Sequence, residues 1–98
     1  MKQPQNCRQF DGLAFMDCNE AFGAVVRAER ERRGLTQRDI AARTGLHLNF
    51  IGRIERAQAM PSLQTVLLIA DALEMPAEQL VGMVVRSITT GRLAPRLK

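Results

Sequence analysis

The chain has few of the residues that build disulfide frameworks, metal centres or membrane spans. Its 98 residues include two cysteines, one histidine and no tryptophan or tyrosine. Cys7 and Cys18 lie near one end and the histidine is His47, which excludes a four-ligand zinc site. Apolar runs such as 66–70 fall far short of the roughly 20 residues that span a bilayer. We expect a cytoplasmic protein with reduced thiols, no signal peptide, no metal or cofactor and no membrane contact.

Groups that would carry catalysis are also missing from the sequence. No serine or cysteine nucleophile has a base near it, and there is no glycine-rich phosphate loop or paired ligand spacing. The sequence therefore predicts a binding protein with no catalytic residues. Pairing between subunits or redox sensing is an alternative to idle thiols for Cys7 and Cys18.

Positive charge is the most informative feature that is present. Lys and Arg number 14 against 10 Asp and Glu, a net charge of +4, and twelve of the cations are arginine. Arginine offers a planar fork of donors suited to phosphates and guanine edges, although codon composition alone also produces arginine-rich chains. Residues 20–60 hold eight arginines and five acids, whereas 61–85 hold three acids and no cation. This division makes nucleic acid the first partner to test.

The apolar spacing predicts an all-α domain of five short helices. Apolar residues recur at helical intervals, and no stretch alternates long enough for a strand. Helix starts are indicated by the capping-box spacings of Asp17 with Glu20 and of Thr36 with Asp39, and by Ser62. Helix ends are indicated by Gly34, by Gly45 and by the break at Met75 and Pro76. The predicted helices span about 17–34, 36–45, 48–56, 62–75 and 77–86. Residues 1–16 are predicted to be a flexible arm, 17–88 one domain and 89–98 a mobile tail.

The second and third predicted helices form a helix-turn-helix pattern. Both are short, and a turn containing Gly45 joins them. Over residues 20–82 the chain resembles the repressor-type helix-turn-helix family, which includes phage repressors, restriction–modification controller proteins and XRE-type regulators. The resemblance rests on Gly34-Leu35-Thr36-Gln37, Ile40-Ala41, Gly45, Ile51, Ile54-Glu55-Arg56, Pro61-Ser62-Leu63 and Ala70-Asp71-Ala72-Leu73. It implies a five-helix repressor-like fold whose third helix reads double-stranded DNA, usually as a homodimer on a twofold-symmetric operator.

The third helix carries the predicted base-reading residues. Helical spacing places Leu48, Asn49, Gly52 and Arg53 opposite the apolar Ile51 and Ile54. Asparagine pairs with adenine edges and arginine with guanine edges. The family's base-contacting positions correspond to His47, Leu48, Asn49 and Arg53. A solvated His47 that only stands at the start of the helix is an equal alternative for that residue.

Other family positions imply contacts outside the base edges. Gln37 stands where the family binds a phosphate from the start of the second helix, and Arg38 and Arg43 are additional candidates for the DNA backbone. Arg30 and Glu55 match a buried ion pair that orients the recognition helix. The remaining charges of 27–33 are interpreted as a solvated helix face.

The end of the domain carries more apolar residues than a small monomer buries easily, which predicts an interface. The predicted dimer surface comprises Leu68, Val81, Val84, Val85 and Ile88. The chain departs from the family pattern at three places: Ala57 stands where glycine commonly ends the recognition helix, Gln58-Ala59-Met60 replaces a loop that is often basic, and Leu68 replaces a usual polar residue. We expect the loop at 58–60 to grip the DNA backbone weakly. A different class of function remains open, namely an antitoxin or other interaction module that binds a protein partner through residues 1–16. A helical adaptor without DNA binding is a third.

Overall fold

Five helices hold 58 of the 76 residues that the structure describes. The computed structural model describes the backbone of residues 15–90 and the side chains of 18–90. Its helices are α1 (Phe15–Arg32), α2 (Gln37–Thr44), α3 (Leu48–Glu55), α4 (Leu63–Ala72) and α5 (Ala77–Thr90). Residues 15–90 contain no strand, so the predicted all-α class and five-helix order are confirmed. No helix in this range is long and apolar enough to cross a membrane.

The outer helices extend beyond the predicted domain boundaries. α1 begins at Phe15, so Asp17 lies inside its first turn and the predicted start at Asp17 is wrong. Aspartate is favoured both at an N-cap and within the first turn, and its presence therefore does not locate the start to within a residue or two. At the other end, α5 continues through Thr90, two residues into the predicted tail. The remainder of the predicted arm and tail lies outside the described residues, as does Cys7.

Side-chain caps define where α2 and α4 begin. The Thr36 hydroxyl accepts from the Asp39 backbone N–H at 3.0 Å, and the Asp39 carboxylate accepts from the Thr36 N–H at 2.8 Å. This reciprocal capping box was predicted from the spacing. Ser62 caps α4 by accepting from the Thr65 N–H at 3.1 Å. Both helices therefore begin where local chemistry satisfies their free amides.

Four of the helices end in a left-handed residue, and at the end of α2 it is Gly45, with a φ of 79°. Gly34 follows α1 with a φ of 71°, a conformation that glycine adopts without strain. Ala57 after α3 and Glu74 after α4 have φ values of 61° and 59° although each carries a Cβ. Local backbone hydrogen bonds close both turns, from the Gln58 N–H to the Arg53 carbonyl after α3 and from the Met75 N–H to the Ala70 carbonyl after α4.

The core lies where α1 packs on α3 and α5 while α4 covers α2. Its largest fully buried side chains come from every helix: Val25, Val26, Ile40, Ile51, Ile54, Ile69, Leu73 and Leu80. At Gly23, the backbone of α1 approaches α3 so closely that an added Cβ would lie 2.5 Å from the Ile54 carbonyl oxygen and 2.9 Å from that of Glu55. Gly23 thus sets the distance between α1 and α3.

Substituting Gly23 tests this close approach. We expect Gly23→Ala to lower the free energy of unfolding by about 1–3 kcal/mol, because the methyl group meets rigid backbone. Gly82→Ala is the matched control in α5, where the added Cβ finds only the end of the Arg86 side chain at 3.6 Å. That change is expected to raise the stability by up to about 1 kcal/mol, the helix preference of alanine. Urea unfolding followed by circular dichroism compares them, and equal stabilisation by both changes contradicts the interpretation.

The capping box of α2 predicts a dependence of stability on pH. The hydrogen bond from the Thr36 N–H lowers the pKa of the Asp39 carboxyl below its ordinary value. Stability from this bond is therefore present above the ordinary aspartate pKa, about 3.9, and is lost as pH falls through the lower folded-state value. In urea unfolding between pH 6 and 2, the advantage of the wild type over Asp39→Asn should shrink with acidification. A difference that stays constant across this range would show that the carboxylate charge is irrelevant.

Candidate nucleic-acid interface

One side of α3 is buried and the other faces solvent. Ile51 and Ile54 are at most 1% exposed and fix the inner side of the helix to the core. Solvent reaches the four predicted base-reading residues, His47, Leu48, Asn49 and Arg53. His47 occupies the N-cap position of α3 without a side-chain capping bond. The structure thus brings these four residues onto the accessible part of one short helix and its first turn.

Gly52 does not belong to this exposed set. The prediction that it faces outward is wrong, because Gly52 is buried. An added Cβ at Gly52 would lie 2.9 Å from Nη1 of Arg56 and 3.5 Å from Oε1 of Gln37. The guanidinium of Arg56 therefore lies across the glycine and shields it from solvent.

Two arginines of α3 and its C-cap bind the residue that follows the turn. Nη2 of Arg53 donates to the Gln58 carbonyl oxygen at 3.2 Å, and Nε of Arg56 donates to the Gln58 Oε1 at 3.2 Å. The sequence predicts no role for Arg56 and only a weak grip on the DNA backbone for the loop that contains Gln58. The signal that could have indicated Arg56 was its position three residues after Arg53, which places both cations on adjacent parts of the helix surface.

A nearly buried ion pair connects α1 to the end of α3. Nε of Arg30 lies 2.7 Å from Oε2 of Glu55, and Nη2 lies 3.0 Å from Oε1. The side chains are 11% and 2% exposed, respectively. Nη1 of Arg30 also donates to the Leu35 carbonyl at 2.9 Å, so the guanidinium joins three segments of chain. The bond to Glu55 raises the pKa of Arg30 above its ordinary value.

The three predicted backbone-contacting residues have different surroundings. Arg38 is exposed. Nε2 of Gln37 donates to Glu55 Oε1 at 3.0 Å, which ties the start of α2 to the ion pair. Nη1 of Arg43 donates to the Ala72 carbonyl oxygen at 2.8 Å and caps the end of α4, an intramolecular role that was not predicted. Of the three side chains, only that of Arg43 is turned towards α4.

The predicted dimer surface is only partly available. Val84 is 7% exposed and belongs to the core, so its assignment to an interface is wrong: α5 has apolar residues on two adjacent stripes, and the stripe with Leu80 and Val84 faces inward. Val81 is 43% exposed, while Leu68, Val85 and Ile88 are half-buried. The exposed apolar residues that were not predicted are Met60, Leu63 and Leu67.

An apolar cleft opens beside this surface. It has a volume of about 230 Å³. Its walls come from α1, from the segment before α4, and from α4 and α5: Cys18, Asn19, Phe22, Met60, Pro61, Val66, Val81 and Val84. Cys18 is an exposed free thiol at this edge. The cleft shares Met60 and Val81 with the exposed apolar residues.

Known proteins are similar to the chain over most of its helical domain. The sequence profile of a helix-turn-helix domain family matches residues 21–81. Control protein C.SmaI of Serratia marcescens is 33% identical over 69 residues, which cover 70% of this chain and 82% of that protein. The HTH-type transcriptional regulator YazB of Bacillus subtilis is 34% identical over 61 residues, covering 62% and 88%.

Solved structures of controller proteins have the same fold as the chain. The restriction–modification controller protein C.AhdI of Aeromonas hydrophila superposes with a TM-score of 0.62 at 34% identity, covering 63% of this chain and 94% of that one. The controller protein C.Esp1396I gives a TM-score of 0.70 at 25% identity, covering 79% and 97%. The chain therefore belongs to the XRE-type helix-turn-helix family of DNA-binding transcriptional regulators, which includes the restriction–modification controller proteins.

Proposed function

We propose that the protein is a sequence-specific transcriptional regulator that binds a twofold-symmetric operator as a homodimer, with α3 in the major groove. The observation that carries this proposal is the arrangement of α3, which is anchored by Ile51 and Ile54 and presents Asn49 and Arg53 to solvent. An exposed polar side on a firmly held helix is what major-groove reading requires. The controller proteins among its relatives support a regulatory role.

In this proposal each exposed residue makes a specific contact with DNA. Asn49 bonds an adenine edge and Arg53 a guanine edge, each discriminating by about 1–3 kcal/mol against a wrong base. Leu48 offers apolar contact to a thymine methyl group, and His47 reads from the start of the helix. Gln37, Arg38 and Arg43 contact phosphates, which adds affinity and salt dependence without sequence choice.

The proposed dimer uses the apolar side of the domain. Val81 is exposed, Leu68, Val85 and Ile88 are half-buried, and the exposed Leu67 adds to the same apolar excess of α4 and α5. This half of the sequence is acidic between 61 and 85, which favours placing it away from DNA. In such a dimer the two recognition helices are about 34 Å apart, one turn of DNA.

The base-reading assignment is tested by discrimination between DNA sequences. Selection from a random duplex pool first defines the preferred site. We then expect Arg53→Ala and Asn49→Ala each to reduce the ratio of affinities for the selected and random duplexes by roughly 5- to 150-fold, the equivalent of about 1–3 kcal/mol. Fluorescence anisotropy at fixed salt measures the ratio.

Arg38→Ala is the control for this experiment. It removes one exposed cation from α2, so both affinities should fall by the same factor and the ratio should stay constant. An unchanged preference after Arg53→Ala would show that α3 has been assigned to the groove incorrectly.

The dimer proposal is tested by introducing a charge at its most accessible position. Val81→Glu should leave the fold intact, because the side chain is already 43% exposed, but should dissociate the dimer by placing an unpaired carboxylate in the interface. Sedimentation equilibrium at tens of micromolar measures the mass, with Glu78→Gln as a control on the same helix. A monomeric wild type, or a Val81→Glu protein that remains fully dimeric, would contradict the proposal.

A further inference from the structure

The apolar cleft beside α1 contains one buried amide that has no partner in the described part of the chain. Asn19 lines the cleft and is 9% exposed. Within the described residues, no group forms a hydrogen bond with its side chain. Buried amides are nearly always hydrogen-bonded, because leaving one unpaired costs the free energy of removing it from water. The Asn19 amide therefore indicates that the cleft takes an occupant with hydrogen-bonding groups of its own.

The other walls of the cleft favour an apolar occupant. They include Phe22, Pro61 and Val66, and none of the described residues that line the space is charged. The volume is about 230 Å³, and an apolar cavity of about 150 Å³ is large enough for benzene. A side-chain amide both donates and accepts, which matches the N–H and C=O of a peptide. A peptide segment with one ring-sized apolar side chain thus satisfies the walls and the amide together.

The sequence supplies such a segment next to the cleft. Fourteen residues precede α1, which begins at Phe15. Phe10 is the one aromatic residue among these fourteen, and the pair Asp11-Gly12, which is typical of turns, follows it directly. The segment therefore combines a phenyl ring with a signal for chain reversal close to the start of α1.

The segment is also long enough to reach the cleft. Phe10 stands five residues before Phe15, and an extended chain spans at most about 17 Å over that separation. Asn19 and Phe22 lie roughly 6 and 10 Å from Phe15 along the axis of α1. A reversal at Gly12 therefore leaves enough chain for the Phe10 ring to enter the cleft.

We propose that residues 9–13 fold back on α1 of the same chain and dock in the apolar cleft, with the Phe10 ring between its walls and a peptide group bonded to the Asn19 amide. Docking within one chain is favoured because a short connection to the cleft edge gives the segment an effective concentration in the millimolar range. The docked segment borders the proposed dimer surface at Val81, which belongs to both. The inference involves neither α3 nor DNA, so its failure leaves the proposed DNA-binding function unaffected.

Cys18 reports whether the cleft is covered, because its free thiol is exposed at the cleft edge. The full chain with Cys7→Ser keeps Cys18 as its one thiol, and labelling with iodoacetamide followed by mass spectrometry gives the reaction rate. We expect Phe10→Ala to raise this rate roughly 10-fold, because losing a buried phenyl ring lowers the docking equilibrium constant by at least that factor. Phe10→Leu keeps an apolar side chain and should retain most of the protection. Leu97→Ala is the matched control, since it removes an apolar side chain near the other end of the sequence and should leave the rate unchanged.

The role of the amide is tested by a double-mutant cycle. Asn19→Ala removes the proposed partner of the segment and should raise the rate at Cys18 when Phe10 is present. In the Phe10→Ala protein the segment is already undocked, so the same substitution should change the rate little. Any direct effect of position 19 on the neighbouring thiol appears equally in both backgrounds and cancels. Circular dichroism checks that each variant retains its helices.

Three results would overturn the proposal. The first is a Cys18 rate that Phe10→Ala leaves unchanged, since the ring then does not cover the cleft. The second is a ratio of the Phe10→Ala rate to the parent rate that grows over a roughly hundredfold range of protein concentration, because a second copy then supplies the segment. The third is an equal effect of Asn19→Ala in the two backgrounds, which would show that the amide does not hold the segment.

The expected result is a ratio that stays constant with concentration and an effect of Asn19→Ala that depends on Phe10. Together these outcomes assign the cleft to residues 9–13 of its own chain.

Discussion

The nearly buried ion pair between Arg30 and Glu55 is the interaction on which the placement of α3 depends. It joins α1 to the end of α3, and its members also hold Leu35 in the preceding loop and Gln37 at the start of α2. Taking such charges out of water is costly, and hydrogen bonds to the remaining donors and acceptors offset that cost. The pair therefore specifies the relative placement of α1, α2 and α3 more than it adds net stability.

The same network divides the polar groups of α2 and α3 between structure and binding. Glu55 is engaged inward and Asn49 and Arg38 face solvent, whereas Gln37 donates to Glu55 and remains partly exposed. Arg56 is exposed, and Nε of its guanidinium donates to the Gln58 side chain. A small domain can in this way present several cations and hold some of them, such as Arg43 and Arg53, by hydrogen bonds to backbone carbonyls.

Local signals account for the part of the fold that could be predicted from the sequence. Thr36 and Ser62 cap helices through bonds to residues three positions away, and Gly34 ends a helix in a conformation that it adopts freely. Such contacts depend on neighbours in the chain, and a single sequence displays them. The family resemblance extended the prediction to the helix-turn-helix fold and to the DNA-binding role.

What could not be predicted depends on contacts between distant residues or on side-chain conformation. Arg43 reaches the carbonyl of Ala72, 29 positions away. Gly52 is buried beside the side chains of Arg56 and Gln37, and Val84 is buried in the core, where α5 packs on α1. Ala57 adopts a left-handed turn that its residue type does not favour. Periodicity assigns a face to each of these residues but does not say which neighbour covers it.

The absence of a side chain at Gly23 has a mechanical consequence for recognition. The backbones of α1 and α3 touch directly, with no flexible group between them that could adjust its conformation. Such a contact resists sliding, so in the proposed complex α3 meets DNA as part of a preformed rigid body. A misfit between protein and DNA in that complex is relieved mainly by bending or twisting the DNA. The deformability of base pairs that the protein never touches would thereby become part of its sequence preference.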